Sequence, residues 1–259
     1  MESGVQIRKS LGMIRGKTDK IDSERIAQYA YTHKHKVNIW QAPRAVIKNI
    51  STLLAQRSRL IKCKKQLSVP INEQQDCIDK PIAKQLAYST AKVVASLDKQ
   101  LQVTETQIMK IVKSDDNINR LYKIITSVDG IGFVTAMYII TTTNEFIYID
   151  NAKKYACYSG VVPFEHSSAT SISTKHRVSP MANKGIKTLL HLAALSAMQS
   201  NEELKHYYQR KLAAEKNKMS VINAIRNKLI LSIFACVQNN RTFEKNYTYP
   251  LGYGLKALI

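Results

Sequence analysis

A long apolar seam in the middle of the chain constrains its fold more than any other feature. Its members follow one another at alternating spacings of three and four: Val94, Leu97, Leu101, Thr104, Ile108, Ile111, Asp115, Ile118, Tyr122 and Ile125. This repeat of about 3.5 residues is that of helices packed as a coiled coil. A weaker repeat upstream comprises Ile50, Leu53, Leu60 and Leu67, with Arg57 and Lys64 as interruptions. Pro70 and Pro81 bound a turn-like segment between the two runs. We therefore predict two long antiparallel helices across residues 43–125, acting as a spacer or a dimerisation arm.

The composition favours a helical chain that binds a polyanion. Nine Gly and six Pro among 259 residues are too few for an all-β fold. The 39 Lys and Arg outnumber the 19 Asp and Glu, giving a formal net charge of +20. Such a surface attracts nucleic acid, and we expect DNA as the partner. We see no apolar run near the length of a spanning helix and predict no membrane partner. Four widely spaced cysteines without a C-x-x-C pair indicate a reducing cytoplasm.

The stretch SVDGIGFVTAMYII directly follows the seam. Its Gly130 and Gly132 are typical of the turn in a helix-hairpin-helix element, where glycine lets backbone N–H groups approach a phosphate. The start of the following helix adds the positive end of its dipole. An ordinary turn between two helices is the alternative that the residues leave open. The basic composition favours the phosphate contact.

A stretch rich in Ser and Thr, residues 163–179, has no periodicity and is predicted to be a loop, here called the serine loop. Gly160 is predicted to close the helix before it, and Ser179-Pro180 to begin the helix after it. Four cations accompany its hydroxyl groups: Lys175, Arg177, Lys184 and Lys187. A serine that attacks a phosphodiester needs cations around the developing charge. A solvated loop without any chemistry is the alternative.

The stretch RGKTDKIDSERIAQYA near the start is predicted to be helical. Asp19 and Asp22 lie three residues apart and therefore share one face of that helix, whereas Glu24 points to another face. The residues alone leave open what this pair of carboxylates binds.

Five stretches, taken in order, resemble the insertion-sequence 110 family of transposases, relatives of the Piv-type DNA invertases. They are RGKTDKIDSERIA, the helical hairpin, SVDGIGFVTA, YACYSGVVPFEHSSATS and VSPMANKGIKTLLHLAALSAM, which together span nearly the whole chain. The resemblance implies a RuvC-like carboxylate domain of DEDD type joined to a C-terminal helical domain that carries a serine. Members of the family recombine DNA, and some are guided by an RNA encoded in the element.

The resemblance also implies the metal ligands. The K-x-D-x-x-D motif of the family falls on Lys17, Asp19 and Asp22, the last two residues being the third and fourth of four acidic ligands. Their carboxylate oxygens suit Mg²⁺. Only 18 residues precede Asp19, and Glu2 is the sole acidic residue among them. We therefore expect a truncated form that binds nucleic acid and shows little or no recombination by itself.

The nucleophile of the family falls on Ser168. Ala169 follows it where the family usually has glycine, and the neighbouring Ser167 is the alternative nucleophile. The resemblance implies that Ser168 attacks a DNA phosphodiester, with Lys175 and Arg177 as local charge stabilisers.

The expected chain is mainly α-helical and has three parts. Residues 1–42 are predicted to be the remnant of a RuvC-like domain, residues 43–125 the coiled-coil hairpin, and residues 126–259 a helical domain with the helix-hairpin-helix and the serine loop. Expected partners are DNA, a second copy of the chain bound through the coiled coil, and an element-encoded guide RNA. Two alternatives to a recombinase are a nucleic-acid-binding protein without chemistry and a helix-hairpin-helix repair protein. The K-x-D-x-x-D motif disfavours the repair protein.

Overall fold

The computed structural model describes residues 4–11, 18–36, 41–74, 78–163, 167–168, 172–173 and 178–245. Over these residues the chain is mainly α-helical, which confirms the predicted fold class. It divides into two compact units, Met1–Arg44 and Ala45–Ile259. The first unit contains helices α1 (Gly4–Ser10) and α2 (Asp19–Thr32) and a 3-10 turn (Lys34–Lys36). Its origin in a RuvC-like domain stays a prediction.

The second unit is a helical bundle with one small β-hairpin. Its elements are α3 (Ala45–Gln74), α4 (Lys80–Ser114), α5 (Asp116–Thr126), α6 (Phe133–Thr143), α7 (Ala152–Tyr158), β1 (Ser167–Ser168), β2 (Ile172–Ser173), α8 (Lys184–Ser200), α9 (Glu202–Ala213) and α10 (Lys218–Gln238). Helix α10 packs against α5, α7, α8 and α9. Its Ile225, Ile230 and Phe234 are almost fully buried. The core of this unit therefore surrounds α10.

Helices α3 and α4 form an antiparallel pair. Arg57 Nε lies 2.7 Å from Glu105 Oε1, and Lys64 Nζ lies 2.6 Å from Asp98 Oδ1. A step of seven residues forward along α3 thus corresponds to seven residues backward along α4. The two charged interruptions of the weaker repeat therefore have acidic partners on the facing helix.

Two boundaries of the predicted hairpin were wrong. Helix α3 continues through Pro70 to Gln74, so this proline does not mark the tip. The second helix ends at Ser114, because Asp115 adopts an extended backbone and its side chain accepts a hydrogen bond from the Ile118 N–H at 3.0 Å. Aspartate stabilises a helix start in this way, since it satisfies a backbone donor that has no partner within the helix. The apolar seam consequently extends over two helices.

The hairpin is buried only near its base. Ile50 and Ile108 are fully buried there. Farther out, Ile82, Leu86 and Val93 of α4 remain 51%, 44% and 49% exposed. The outer part of the pair therefore presents apolar side chains to solvent.

Helix α10 corrects the expectation that no apolar run approaches the length of a membrane span. Its 21 residues are long and apolar enough to cross a membrane by length and composition. Half of the apolar stretch is buried inside the protein, against the four helices that surround α10. This role as a core helix accounts for its apolar character.

Candidate functional site

The serine loop lies between α7 and α8. The chain segments that enter and leave it meet at Gly160 and are here called the base of the loop. This residue has φ +66°, and a Cβ placed there would lie 2.8 Å from Ala182 Cβ and 2.9 Å from Val178 Cγ1. The Asn183 N–H donates to the Tyr158 carbonyl at 2.8 Å. The side-chain amide of Asn183 donates to the Tyr158 hydroxyl at 2.9 Å. The base of the loop is therefore held by both packing and hydrogen bonds.

Ser168 lies on a short antiparallel hairpin within the loop. It pairs with Ile172, and Ser167 pairs with Ser173. The sequence predicted an irregular segment here, whereas the described backbone contains two paired strands. The side chains of both serines lie outside the described part of the structure, so the choice of nucleophile stays a prediction.

Lys184 and Lys187 lie in the first turn of α8, directly after the loop. Lys184 is exposed and Lys187 is half-buried. This helix begins later than predicted, because Asn183 supplies its cap: the side-chain oxygen accepts from the Gly185 N–H at 3.0 Å and the Ile186 N–H at 3.2 Å. The loop thus leads into a helix start that carries two cations. The other two predicted cations, Lys175 and Arg177, lie outside the described residues.

A cluster that was not predicted from the sequence lies beside the base of the loop. Arg226 of α10 is only 4% exposed. Its Nη2 donates to His191 Nδ1 of α8, and its Nη1 donates to Asn223 Oδ1 at 3.3 Å. The Asn223 amide in turn donates to the Val161 carbonyl. A sequence signal for this cluster existed, since an arginine falls on the apolar face of α10 between Ile222 and Leu229.

Burial affects the titration of this cluster. Desolvation lowers the pKa of the Arg226 guanidinium. Desolvation also lowers the pKa of the His191 imidazole, and the positive charge of Arg226 lowers it further. We therefore take His191 as neutral at pH 7.

The two glycines of the predicted helix-hairpin-helix differ in their surroundings. Gly130 has φ +79°, and a Cβ placed there would lie 2.3 Å from the Ala193 carbonyl oxygen and 2.6 Å from the Ala197 nitrogen. Gly132 caps α6 with φ −89°, and a Cβ there would meet nothing within 4 Å. Gly130 therefore has a structural reason to be glycine. Gly132 is exposed and is the better placed of the two for a ligand. Phosphate binding by either residue stays a prediction.

Asp19 and Asp22 occupy the first turn of α2, after the cap formed by Thr18. Asp22 Oδ1 lies 3.3 Å from Nη1 of Arg25, a residue that is 5% exposed. Acidic side chains in the first turn also stabilise a helix through its dipole. Lys17, the first residue of the motif, lies outside the described residues.

The described residues do not complete a metal site around this pair. They contain no group of three or more His, Cys, Asp or Glu side chains that could hold a metal ion. The carboxylates of Asp19 and Asp22 suit a hard cation, but Asp22 is already paired with Arg25. The pair fits at most half of a Mg²⁺ site.

Comparison with known proteins finds a family match in the region around the serine loop. Residues 122–209 match the family model described as Transposase IS116/IS110/IS902 family. This stretch is similar to the transposase domain of that family. The matched stretch runs from α5 to α9 and includes both glycines, the serine loop and the cations of α8. Arg226 lies beyond the matched part of the transposase domain.

Relatives extend the similarity beyond the transposase domain. Two pilin gene-inverting proteins, from Moraxella bovis and Moraxella lacunata, are each 25% identical over 238 residues, covering 92% of this chain and 70% of the relative. An uncharacterized 43.6 kDa protein of insertion element IS110 from Streptomyces coelicolor is 26% identical over 170 residues, covering 65% of this chain and 40% of that protein.

Proposed function

We propose that this chain is a DNA recombinase that cuts and rejoins DNA through Ser168. The observation that carries the proposal is the position of the serine hairpin within the transposase domain, between the held base of the loop and the cationic start of α8. Two of its relatives are named for inverting a pilin gene. DNA is the expected partner on the same grounds, and a polyanion suits the net charge of +20.

In the proposed reaction the serine oxygen forms a bond to phosphorus while the bond from phosphorus to one deoxyribose oxygen breaks. The serine proton passes to solvent, and the displaced oxygen takes up a proton and becomes a free hydroxyl on the cut strand. The phosphoserine conserves the phosphodiester energy, so attack by another DNA hydroxyl reverses the step and rejoins the strands. Lys184 and Lys187 supply positive charge near the phosphate, as do Lys175 and Arg177 in the loop.

Mg²⁺ is the cofactor that the family resemblance implies, with Asp19 and Asp22 as ligands. When bound, a divalent cation would neutralise charge on the attacked phosphate. The helix brings both carboxylates to one face, which supports this assignment. An acidic group from elsewhere would still be needed to complete the site.

A covalent adduct tests this proposal. Duplex DNA from the sequences flanking the gene is incubated with the chain and Mg²⁺, and the products are separated under denaturing conditions. We expect little or no adduct with the chain by itself, because its metal site lacks an acidic group among the described residues. Joined to the upstream segment of a pilin gene-inverting relative, the chain should form an adduct, as should the matched control Ser167→Ala, and Ser168→Ala should form none. The opposite pattern would make Ser167 the nucleophile.

The second candidate function is nucleic-acid binding without chemistry. It is favoured by the ion pair between Asp22 and Arg25, which occupies one of the two carboxylates. Under this alternative no variant forms an adduct, while the unmodified chain still retards DNA in a gel.

We further propose that the outer part of the α3–α4 hairpin binds a second copy of the chain. The exposed residues Ile82, Leu86 and Val93 fall on one side of α4 at helical spacing. Apolar side chains in such a row favour association of helices in water. A guide RNA is a further proposed partner on family grounds, and the same excess of positive charge suits RNA.

A further inference from the structure

Within the described part of the chain, the buried guanidinium of Arg226 has no negative charge paired with it. Its two described hydrogen bonds go to neutral acceptors, His191 Nδ1 and Asn223 Oδ1, and its buried Nε has no acceptor among the described residues. No ion pair involving Arg226 occurs among the residues that the structure describes. A buried charge that lacks a counter-charge is costly, and such groups are normally paired.

The sequence around this charge is nearly devoid of acids. Helices α8 and α10 contain no Asp or Glu, and the serine loop contains only Glu165. The two helices that carry the cluster therefore offer Arg226 no carboxylate, and the serine loop offers a single one. An anion from outside the chain would supply the missing charge.

The hydrogen bond between Arg226 and His191 fixes the state of the imidazole. Arginine is only a donor, so His191 Nδ1 must accept, and the neutral ring carries its proton on Nε2. His191 is half-buried, and its Nε2 is separated from Nδ1 by a ring carbon, so the Nε2–H takes no part in the contact with Arg226. The ring therefore presents an N–H donor away from the guanidinium.

Two further groups place this donor beside the serine loop. Lys187 precedes His191 by four residues on α8, so the two side chains lie on the same face of the helix. Asn223 connects Arg226 to the Val161 carbonyl at the base of the loop. A phosphate at this base would meet an ammonium group and an N–H donor, with a buried guanidinium behind them.

We propose that Lys187, His191, Asn223 and Arg226 form a binding site for a phosphodiester group of nucleic acid beside the serine loop. This inference rests on the proposed function and names residues that position its substrate. Lys187 and the His191 N–H contact the phosphate. Arg226 is a positioning residue, which sets the tautomer of His191 and supplies charge from below. Asn223 attaches this arrangement to the loop.

A phosphate site and a purely structural role for Arg226 predict different responses to mutation of this residue. Arg226→Met keeps an unbranched stem in the core and removes the charge. A buried charge without a counter-charge costs free energy, so replacing it by an apolar side chain removes that cost. The phosphate site therefore predicts an unchanged or higher thermal midpoint and weaker anion binding. A structural arginine predicts a lower midpoint and unchanged anion binding.

The test measures thermal unfolding in inorganic phosphate and in chloride at equal ionic strength, which cancels general screening. We expect phosphate to raise the midpoint of the unmodified chain. In Arg226→Met the apparent binding of phosphate should be about tenfold weaker, the order expected for losing a charge-assisted contribution. The matched control is Lys228→Met, which removes the same charge from an exposed position on α10 and should leave the phosphate effect nearly intact.

His191→Phe provides a second variant that fills similar space but has no N–H donor, and it should reduce the phosphate effect as well. An Arg226→Met chain that unfolds, or that responds to phosphate like the control, would overturn the inference. If Arg226→Met unfolds and Glu165→Gln is equally unstable, Glu165 is the internal partner of Arg226. That result would also overturn the inference.

A DNA-binding measurement separates this inference from the proposed function. If the unmodified chain retards no DNA, the proposed function fails, while the response to phosphate still decides the site. If DNA is bound and the phosphate response does not depend on Arg226, only the phosphate site is refuted.

Discussion

Two neighbouring glycines have opposite tolerances for a side chain. In Gly130→Ala the new Cβ would overlap the backbone of α8 and the residue would keep a positive φ. We expect a loss of about 2 kcal/mol or more in the free energy of unfolding. Gly132→Ala is the matched control and should change it by less than about 1 kcal/mol, because its backbone is ordinary and its Cβ would enter open space. Urea denaturation measures both values, and equal losses would contradict the packing of Gly130 on α8.

A substitution at Gly132 can separate its proposed contact with phosphate from any role in folding. Gly132→Val adds a β-branched side chain at the start of α6, where it would obstruct a phosphate approaching the N–H groups of that helix. We expect weaker DNA binding with a nearly unchanged midpoint of thermal unfolding. Normal binding by a folded variant would favour the plain turn that the sequence left open.

The protonation of His191 makes stability depend on pH. Its pKa lies below the ordinary value of 6.5 in the folded chain, so the unfolded chain binds a proton at a higher pH. The free energy of unfolding should therefore decrease as the pH falls from about 6.5 toward the native pKa. His191→Gln keeps an acceptor for Arg226 and removes the titration. Urea denaturation at pH 7.5 and at pH 5 should show a smaller loss for this variant than for the unmodified chain. Equal losses would show that another group carries the effect.

At the scale of the helix, an apolar repeat predicted the hairpin but not its ends. The repeat records which face is buried, and that face continues from α4 into α5 without a change of spacing. The helix is interrupted at Asp115, because its carboxylate accepts a hydrogen bond from the Ile118 N–H and starts a new helix. A repeat of apolar residues does not predict such a contact. Pro70 also led to a wrong prediction of where the first helix ends. Its position near a run of polar residues is typical of a turn, yet the helix continues through it to Gln74.

The outer hairpin provides a test of self-association without unfolding. Ile108 is fully buried in a single chain, so an aspartate there would disrupt the fold rather than only the association of two chains. Leu86→Lys with Val93→Lys instead changes exposed positions and should leave the thermal midpoint nearly unchanged.

We expect this pair of substitutions to reduce the sedimentation coefficient to that of a monomer. The matched control, Ala91→Lys with Ala95→Lys, adds the same charge to exposed positions on the opposite side of α4. If both variants sediment alike, the exposed row does not hold two copies together.

At the scale of the whole molecule, the site is harder to predict than the fold because it joins distant segments. The helical class follows from local repeats and sparse turn residues. The Arg226 cluster depends on α8 and α10 meeting at the base of the loop, and 35 residues separate Arg226 from His191. An arginine on an apolar helix face was visible in the sequence, but its partner was not. The metal ligands and the nucleophile came from family resemblance, since two carboxylates or a serine-rich loop alone specify no chemistry.

The net charge of +20 predicts how the whole chain binds nucleic acid. Each phosphate that a cation neutralises releases a counterion, so the logarithm of affinity should fall linearly with the logarithm of salt concentration. A protein that makes about 6–10 such contacts loses about 10³–10⁵-fold in affinity between about 50 and 200 mM salt. Fluorescence anisotropy with labelled duplex DNA measures this slope. Lys184→Gln with Lys187→Gln should reduce the magnitude of this slope by about two if both lysines contact phosphates. The matched pair Lys62→Gln with Lys65→Gln removes two exposed cations from α3 and should change it less. An affinity independent of salt would exclude an electrostatic origin for binding, and equal slopes for the two double variants would place the phosphates elsewhere than the start of α8.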